Sequence, residues 1–409
     1  MLADGRANCQ TAAMKPRPLT LIGIIASMVS GLGLGIIGYR QWLAPAPALD
    51  YARVFERILE EVHQNYVHEV PKEQLIRHAL RGMLSQLDGH SVYLDERAYE
   101  NLQSETSGEF GGIGIELGLI DDAVTVVTTI DGTPAAAAGL QSGDRLLALD
   151  GTSLQGQRLA DVVRQLRGAP GTAVQLRIQR DPDGDAWDVA LTRAIIARNS
   201  VTARLLEPGY GYIRISQFQV QTPSAFTHAL TDLAHESAGP LQGLVLDLRN
   251  NPGGILQASV AVADALLPDG LIVYTEGRQQ SGRLTFRAGR NDLLEGAPIV
   301  VLINGASASA AEVVAGALQD HGRATVIGTR SYGKGSVQSV VPLTEGEALK
   351  LTTAYYFTPN GRSIHHEGID PDIERAAVAE ARTAEADAAL LAEALQLLKQ
   401  QGDSLHARL

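Results

Sequence analysis

The sequence predicts an α/β core carrying an inserted α+β module, preceded by a helical segment and, at the N-terminus, a transmembrane helix. Three observations predict it. Apolar strands and helices alternate from Gly211 to about Asp372, the pattern of α/β layering around a buried sheet. Short β-rich runs bounded by Gly, Asp and Pro fill Ser107 to Thr192, a length typical of one small domain. Leu19 to Tyr39 is a stretch of 21 residues without a charge, long enough to cross a hydrocarbon core as a helix.

Composition sets the outer limits. With 409 residues the chain exceeds one ordinary domain, and 45% hydrophobic with 20% charged residues fits a folded globular protein. Its 34 basic residues against 46 acidic ones give a formal charge of -12. That balance argues against nucleic-acid binding by phosphate neutralisation. The single cysteine, Cys9, rules out an intrachain disulfide and a cysteine-based zinc site. His365-His366-Glu367 lacks the H-E-x-x-H spacing of a zinc helix. No metal or cofactor is expected.

The N-terminal segments follow in order. Residues 1–18 contain Lys15 and Arg17, which place that end in the cytoplasm by the positive-inside rule. Residues 19–39 then read as an uncleaved signal anchor in the inner membrane, with the bulk of the chain in the periplasm or other extracytoplasmic space. A cleaved signal peptide is the alternative, because Ala46-Pro47-Ala48 has peptidase-like spacing. However, the apolar run is longer than a signal core, and Arg40 and Trp42 intervene. Gly31 and Gly35 form a G-x-x-x-G pair suited to helix pairing. Met14-Lys15 offers an alternative start. Residues 40–48 are a Pro/Ala linker.

Residues 49–106 read as a helical region. Tyr51, Val54, Phe55, Ile58, Leu59 and Val62 recur at helical spacing, and Pro71 opens a second run through Leu75, Ile76, Leu80 and Met83. Packing of both stripes against the rest of the protein is expected. Residues 107–194 form the α+β module, with helices at Ala135–Ala138 and Leu159–Leu166. Residues 195–375 form the core, with strands at Tyr212–Ile215, Gly243–Leu248, Ile299–Ile303 and Thr325–Gly328. Between these strands lie helices at Ser224–His235, Ile255–Leu266 and Ala310–Gln319, and a further strand spans Leu349–Phe357. Residues 376–409 form a helical tail whose Leu390, Leu391, Ala394, Leu395 and Leu398 line one face. That face can dock on the core or pair with a second chain, so homo-oligomers are one expectation.

Within the module, Glu109-Phe110-Gly111-Gly112-Ile113-Gly114-Ile115 is a glycine-flanked turn entering a strand. Successive N–H groups in such a turn can converge on a carboxylate. The adjoining strand edge can take up an extended peptide. A helix bearing Val162, Val163 and Leu166 can supply the other wall. These parts describe a binder of free, apolar C-termini. The runs Ala138-Gly139-Leu140, Ser142-Gly143-Asp144-Arg145-Leu146 and Asp150-Gly151 resemble the core signature of PDZ domains. That resemblance implies Gly112, Ile113, Gly114 and Ile115 as the carboxylate loop, with Val162 and Leu166 in the peptide groove.

The chemistry concentrates in the core. Asn304-Gly305-Ala306-Ser307-Ala308-Ser309-Ala310-Ala311-Glu312 follows a buried strand and opens a helix. Ser309-x-x-Glu312 is a capping box, which needs no function. The same geometry sets a serine beside free N–H groups and the positive helix end, where an oxyanion can be held. No G-x-S-x-G elbow surrounds Ser309. His321 lies about 18 Å along the helix at 1.5 Å per residue, out of reach as a base. His365 and His366 stay open on sequence distance. Lys334, between two glycines in Ser331-Tyr332-Gly333-Lys334-Gly335-Ser336-Val337-Gln338, is the better candidate. Burial lowers a lysine pKa, and a neutral amine can take a serine proton. On a strand Lys334, Ser336 and Gln338 share a face, so Gln338 can hold the amine. Asp247-Leu248-Arg249-Asn250-Asn251-Pro252-Gly253-Gly254 ends another strand. It is a turn by composition, and an N–H of Gly253 or Gly254 can complete an oxyanion hole with that of Ala310.

These stretches resemble the carboxyl-terminal processing peptidases, tail-specific serine proteases of the Ser–Lys type. Leu87-Asp88-Gly89-His90-Ser91-Val92-Tyr93, Gly211-Tyr212-Ile213-Arg214-Ile215, Thr358-Pro359-Asn360-Gly361-Arg362-Ser363-Ile364 and Gly368-Ile369-Asp370-Pro371-Asp372 add to the resemblance, in family order. It implies Ser309 as nucleophile, Lys334 as general base and Gln338 as the group orienting the lysine. It also implies endoproteolysis near the C-termini of protein substrates, with the tail held by the PDZ domain. Ala311 stands where a serine is common in the family, and Gly89 where a proline is usual. Neither is a dyad member. A PDZ adaptor on a dead scaffold is the competing expectation, and the intact Ser309, Lys334 and Gln338 argue against it. A crotonase-like carbonyl enzyme would leave the PDZ module unexplained. Arg167, at the end of the groove helix, is either a helix C-terminal cation or a contact coupling the PDZ domain to the core.

Overall fold

The computed structural model describes residues 50–181, 184–279, 283–289, 291–344, 346–375 and 384–406. The expected span at 19–39 lies outside these residues. Among the described residues no helix is long and apolar enough to cross a membrane. The chain divides into two compact units, Met1–Ala79 and Leu80–Leu409.

In the first unit the Tyr51–Asn65 helix starts where the Asp50 carboxylate accepts the Arg53 N–H at 3.3 Å. The Lys72 ammonium reaches Glu60 at 2.5 Å. Within this unit alone, Tyr51, Phe55 and Ile58 of that helix are left uncovered.

The second unit is built on a six-stranded sheet. Its order is Val201–Glu207, Tyr210–Ile215, Gly243–Asp247, Ile299–Ile303, Ala324–Gly328 and Ile373–Glu374. The first pair is antiparallel and every later pairing is parallel. The central strands are continuous apolar runs because both faces are covered. Leu244, Leu246, Ile299, Val301 and Ile303 pack beneath helices Thr222–Glu236, Leu256–Asp264 and Ala310–Asp320. Val245, Val300, Leu302 and Ile327 face the other way, onto Leu390, Ala394 and Leu398 of the Ala384–His406 helix. The tail helix therefore docks on the core, and its apolar stripe is the second cover of the sheet.

A second sheet is antiparallel, in the order Val92–Leu94, Glu347–Phe357, Gly270–Gly277 and Thr285–Ala288, with Ser336–Thr344 also paired to Glu347–Phe357. The Asp88-Gly89-His90-Ser91 stretch pins its edge. Asp88 Oδ1 accepts from the His90 and Ser91 N–H groups at 2.7 Å each, and Ser91 Oγ in turn accepts from Thr352 N–H at 3.1 Å. A Cβ on Gly89 would meet open space, so the departure from proline there costs no contact.

The α+β module holds its own core. Strands Ile115–Ile120, Ala123–Thr129, Arg145–Leu149, Ala173–Gln179 and Trp187–Thr192 enclose Val126, Leu176 and Val162, all fully buried. Chain entry and exit run together as an antiparallel ribbon, Glu109–Gly112 with Ala194–Ala197.

Candidate active site

Ser309 stands between a core strand and the buried Ala310–Asp320 helix. Its backbone has φ 55° and ψ -114°. A non-glycine residue held there carries about 1–3 kcal/mol of strain, which the surroundings must over-determine. They do so through Glu312. Its side chain is wholly buried, and Oε2 accepts the Ser309 N–H at 2.6 Å and the Lys334 N–H at 2.9 Å. Oε1 accepts the Ser331 hydroxyl at 2.5 Å and the Gly333 N–H at 2.6 Å. Ser331 Oγ is itself the acceptor for Ile369 N–H at 2.7 Å, which commits its proton to Glu312. All four acceptor positions of one carboxylate are thus filled. Burial pushes the Glu312 carboxyl up from its ordinary value, and the four donors pull it back. The capping glutamate is a junction that ties the serine turn to the lysine loop.

That loop needs its glycines. A Cβ on Gly335 would sit 2.2 Å from His365 N, and one on Gly333, where φ is 86°, would lie 3.1 Å from His366 C. The close approach leaves Lys334 half-buried. Its pKa lies below the ordinary lysine value because burial penalises the ammonium and Lys350 repels it, with Glu312 opposing. Among the described residues the Lys334 ammonium has no hydrogen-bond partner.

Ser309, Lys334, Gln338, Gly253 and Gly254 line one cleft of about 640 Å³. Gln338 does not hold the lysine in this state. Its amide nitrogen donates to Ser336 Oγ at 2.9 Å and Ser336 O at 3.1 Å. Ser336 lies two residues back on the same strand face and competes for the amide.

The turn at residues 250–254 differs in one donor from the sequence expectation. Gly253 N–H donates to Asn251 Oδ1 at 2.8 Å, a local side-chain turn, and is not available to a substrate. Asn251 is fully buried and anchored by Nδ2 on Ile215 O at 2.8 Å. Among the described residues the N–H groups of Gly254 and Ala310 have no acceptor. Gly253 serves by its lack of a side chain. A Cβ there would lie 2.7 Å from Ser309 Cβ and 3.0 Å from Ala310 N.

The glycine turn of the α+β module carries a comparable pair. Ile113 and Gly114 have no acceptor for their N–H groups among the described residues. Gly112 ends the entry ribbon and Ile115 opens the groove strand. Val162 and Leu166 are 0% and 5% exposed, packed with Ile113 in the module's core. They form the floor of this region and present no open wall. Arg167 ends the helix and stacks 4.8 Å over the Phe110 ring. It also borders a small cavity with Gln217 and Gln219 of the core.

Three parts of the site escaped sequence reading. The Glu96–Ser107 helix supplies Tyr99 and Leu102 to the cleft wall. Its Asp95 cap and the left-handed Gly108 at its end are the signals that bracket it. Glu312 was legible only as a cap. The third is a buried ion network. Asp247, wholly buried, accepts from Arg249 Nε at 3.0 Å and Nη2 at 2.7 Å and from the Tyr212 hydroxyl at 2.8 Å. Arg249 Nη1 also reaches Asp387 of the tail helix at 2.7 Å. Burial and the Asp247 charge push the Tyr212 hydroxyl up to about 12.

Comparison with known proteins places the chain by its sequence. The model of peptidase family S41 matches residues 209–375, and a PDZ domain model matches residues 125–180. The chain is 47% identical over 320 residues to a carboxy-terminal-processing protease of Bartonella bacilliformis, covering 78% of this chain and 74% of that protein. It is 39% identical over 301 residues to a carboxyl-terminal-processing protease of Synechocystis, covering 72% and 69%.

Proposed function

Because the chain belongs to the S41 serine peptidases, among the carboxyl-terminal processing proteases, we propose that it cuts protein substrates near their C-termini with Ser309 as nucleophile and Lys334 as base. The observation that carries this reading is the strained Ser309 sharing one cleft with a lysine of depressed pKa and with Gly254, whose N–H is unpaired among the described residues, as is that of Ala310 next to Ser309 in the chain.

The neutral Lys334 amine takes the Ser309 hydroxyl proton as Oγ attacks the scissile carbonyl. The N–H groups of Gly254 and Ala310 receive the oxyanion. The Lys334 ammonium then protonates the leaving amine, and water resolves the ester with Lys334 again as base. A rotation of Gln338 off Ser336 would let its carbonyl oxygen orient the amine. The substrate's terminal carboxylate docks on the Ile113 and Gly114 N–H groups, and the chain adds along Ile115–Ile120. Arg167, bordering both domains, is the residue through which an occupied groove would act on the core. Residues 19–39 anchor the protein, with the catalytic unit on the extracytoplasmic side. Retention in the membrane pellet after an alkaline wash is the expected result, and release would point to a cleaved leader.

The test uses the full chain and an unstructured protein with a free apolar C-terminus. Wild type cuts it, whereas Ser309→Ala and Lys334→Ala do not but still bind the tail. Equal inertness of all three with intact binding would favour the adaptor. Equal cutting by all three would remove both residues from the mechanism.

A further inference from the structure

We propose that Lys350 is a specificity-determining residue that selects an acidic side chain about two residues from the scissile bond. This rests on the peptidase reading above and names part of the substrate that the same cleft takes.

Lys350 lines the Ser309 cleft and is half-buried. Its position is rigid, because its strand is paired on both sides, opposite Val340 on one neighbour and Val92 on the other. Gln338 sits opposite Thr352 on the same two strands. Residues two apart share a face of a sheet, so Lys350 and Gln338 project to the same side. One pair-step separates them, about 7 Å along the strand. That is the span of two residues of an extended substrate running along the cleft.

The charge around Lys350 is unbalanced. Among the described residues its ammonium has no hydrogen bond and no ion pair. The charged groups bordering the cleft are Lys334, Lys350 and the exposed Glu105. Glu312, the buried carboxylate nearby, is saturated by its four donors. Held close to a second amine, this half-buried ammonium has no ion-pair partner among the described residues. A carboxylate of the bound chain supplies one through a charge-assisted hydrogen bond. A cleft bordered by two ammonium groups and one exposed carboxylate also favours the approach of such a segment.

The experiment is cleavage-site profiling of a mixed peptide library by mass spectrometry, with the full chain as wild type, Lys350→Arg, Lys350→Gln and Lys350→Glu. Wild type should enrich Asp and Glu at one subsite by about tenfold. Lys350→Arg should keep the enrichment, Lys350→Gln should flatten it and Lys350→Glu should turn it toward Lys and Arg. A folding defect would lower all cleavage without moving the preference, and an unmoved acidic preference in Lys350→Gln overturns the assignment. Cleavage by wild type without any acidic preference also sinks it and leaves the peptidase reading standing. No cleavage by wild type at all sinks the peptidase reading, and this inference with it.

Discussion

Among the described residues, two pairs of unpaired N–H groups, Ile113 with Gly114 and Gly254 with Ala310, stand beside glycine turns, and they are built in opposite ways. In the PDZ loop the donors, Ile113 and Gly114, are adjacent in sequence. Gly114 has φ 82°, and a Cβ there would strike Thr133 at 2.3 Å. In the core the donors, Gly254 and Ala310, come from the ends of neighbouring parallel strands, Gly243–Asp247 and Ile299–Ile303. Their proximity depends on Gly253 passing beside Ser309 and on Asn251 fixing the turn. A carboxylate arrives as a formed ion and can be met by a local nest. An oxyanion exists only during reaction, so its donors must be aimed at the nucleophile by the tertiary frame.

The largest effect should come from breaking the core pair. Gly253→Ala forces a Cβ against Ser309 at φ 101°. A loss in kcat of about 10³ or more is expected, beyond that of removing one oxyanion donor, with tail binding to the PDZ domain intact by calorimetry. Next comes Glu312→Gln, which turns an amide N–H₂ toward two of the four donors. A buried network broken in this way costs about 3 kcal/mol, read as a drop in both melting temperature and kcat. Gly114→Ala is the mirror experiment. Tail affinity should fall by at least about tenfold, since the αL backbone and the nest are both lost, while kcat at saturating substrate changes little. Asp387→Asn should give the smallest effect. It weakens the ion pair to the nearly buried Arg249, whose other partner, Asp247, remains. A several-fold fall in kcat with unchanged KM would show that the tail helix steadies the oxyanion turn.

The same contrast explains what could be read in advance. The alternating strands and helices of the core were legible because two-sided burial makes residues 243–246 and Ile299–Ile303 uniformly apolar. The PDZ glycine turn was legible because its unpaired N–H groups, Ile113 and Gly114, are adjacent in sequence. Ser309 and Lys334 were reachable through glycine flanks and a helix start, although each pattern alone has a plain structural explanation. The engagement of Gly253 by Asn251 was not legible, since a turn composed of Asn, Pro and Gly does not reveal which N–H its own side chains take. Nor was the Glu312 junction, whose partners at Ser331, Gly333 and Lys334 are joined to it only by the fold. The long strand Gly270–Gly277 was missed because its pairing with Glu347–Phe357 is distant in sequence.

The central claim is that Lys334 is the base for Ser309. Single-turnover acylation by a chromogenic ester, followed across pH, tests it most directly. Burial and Lys350 hold the Lys334 pKa below its ordinary 10.5, and only the neutral amine accepts a proton. The acylation rate should therefore rise with pH through one ionisation lying below that value. Lys334→Ala should lose the limb and most of the rate, and Lys350→Gln should move the limb to higher pH. A limb that persists unchanged in Lys334→Ala would contradict the account.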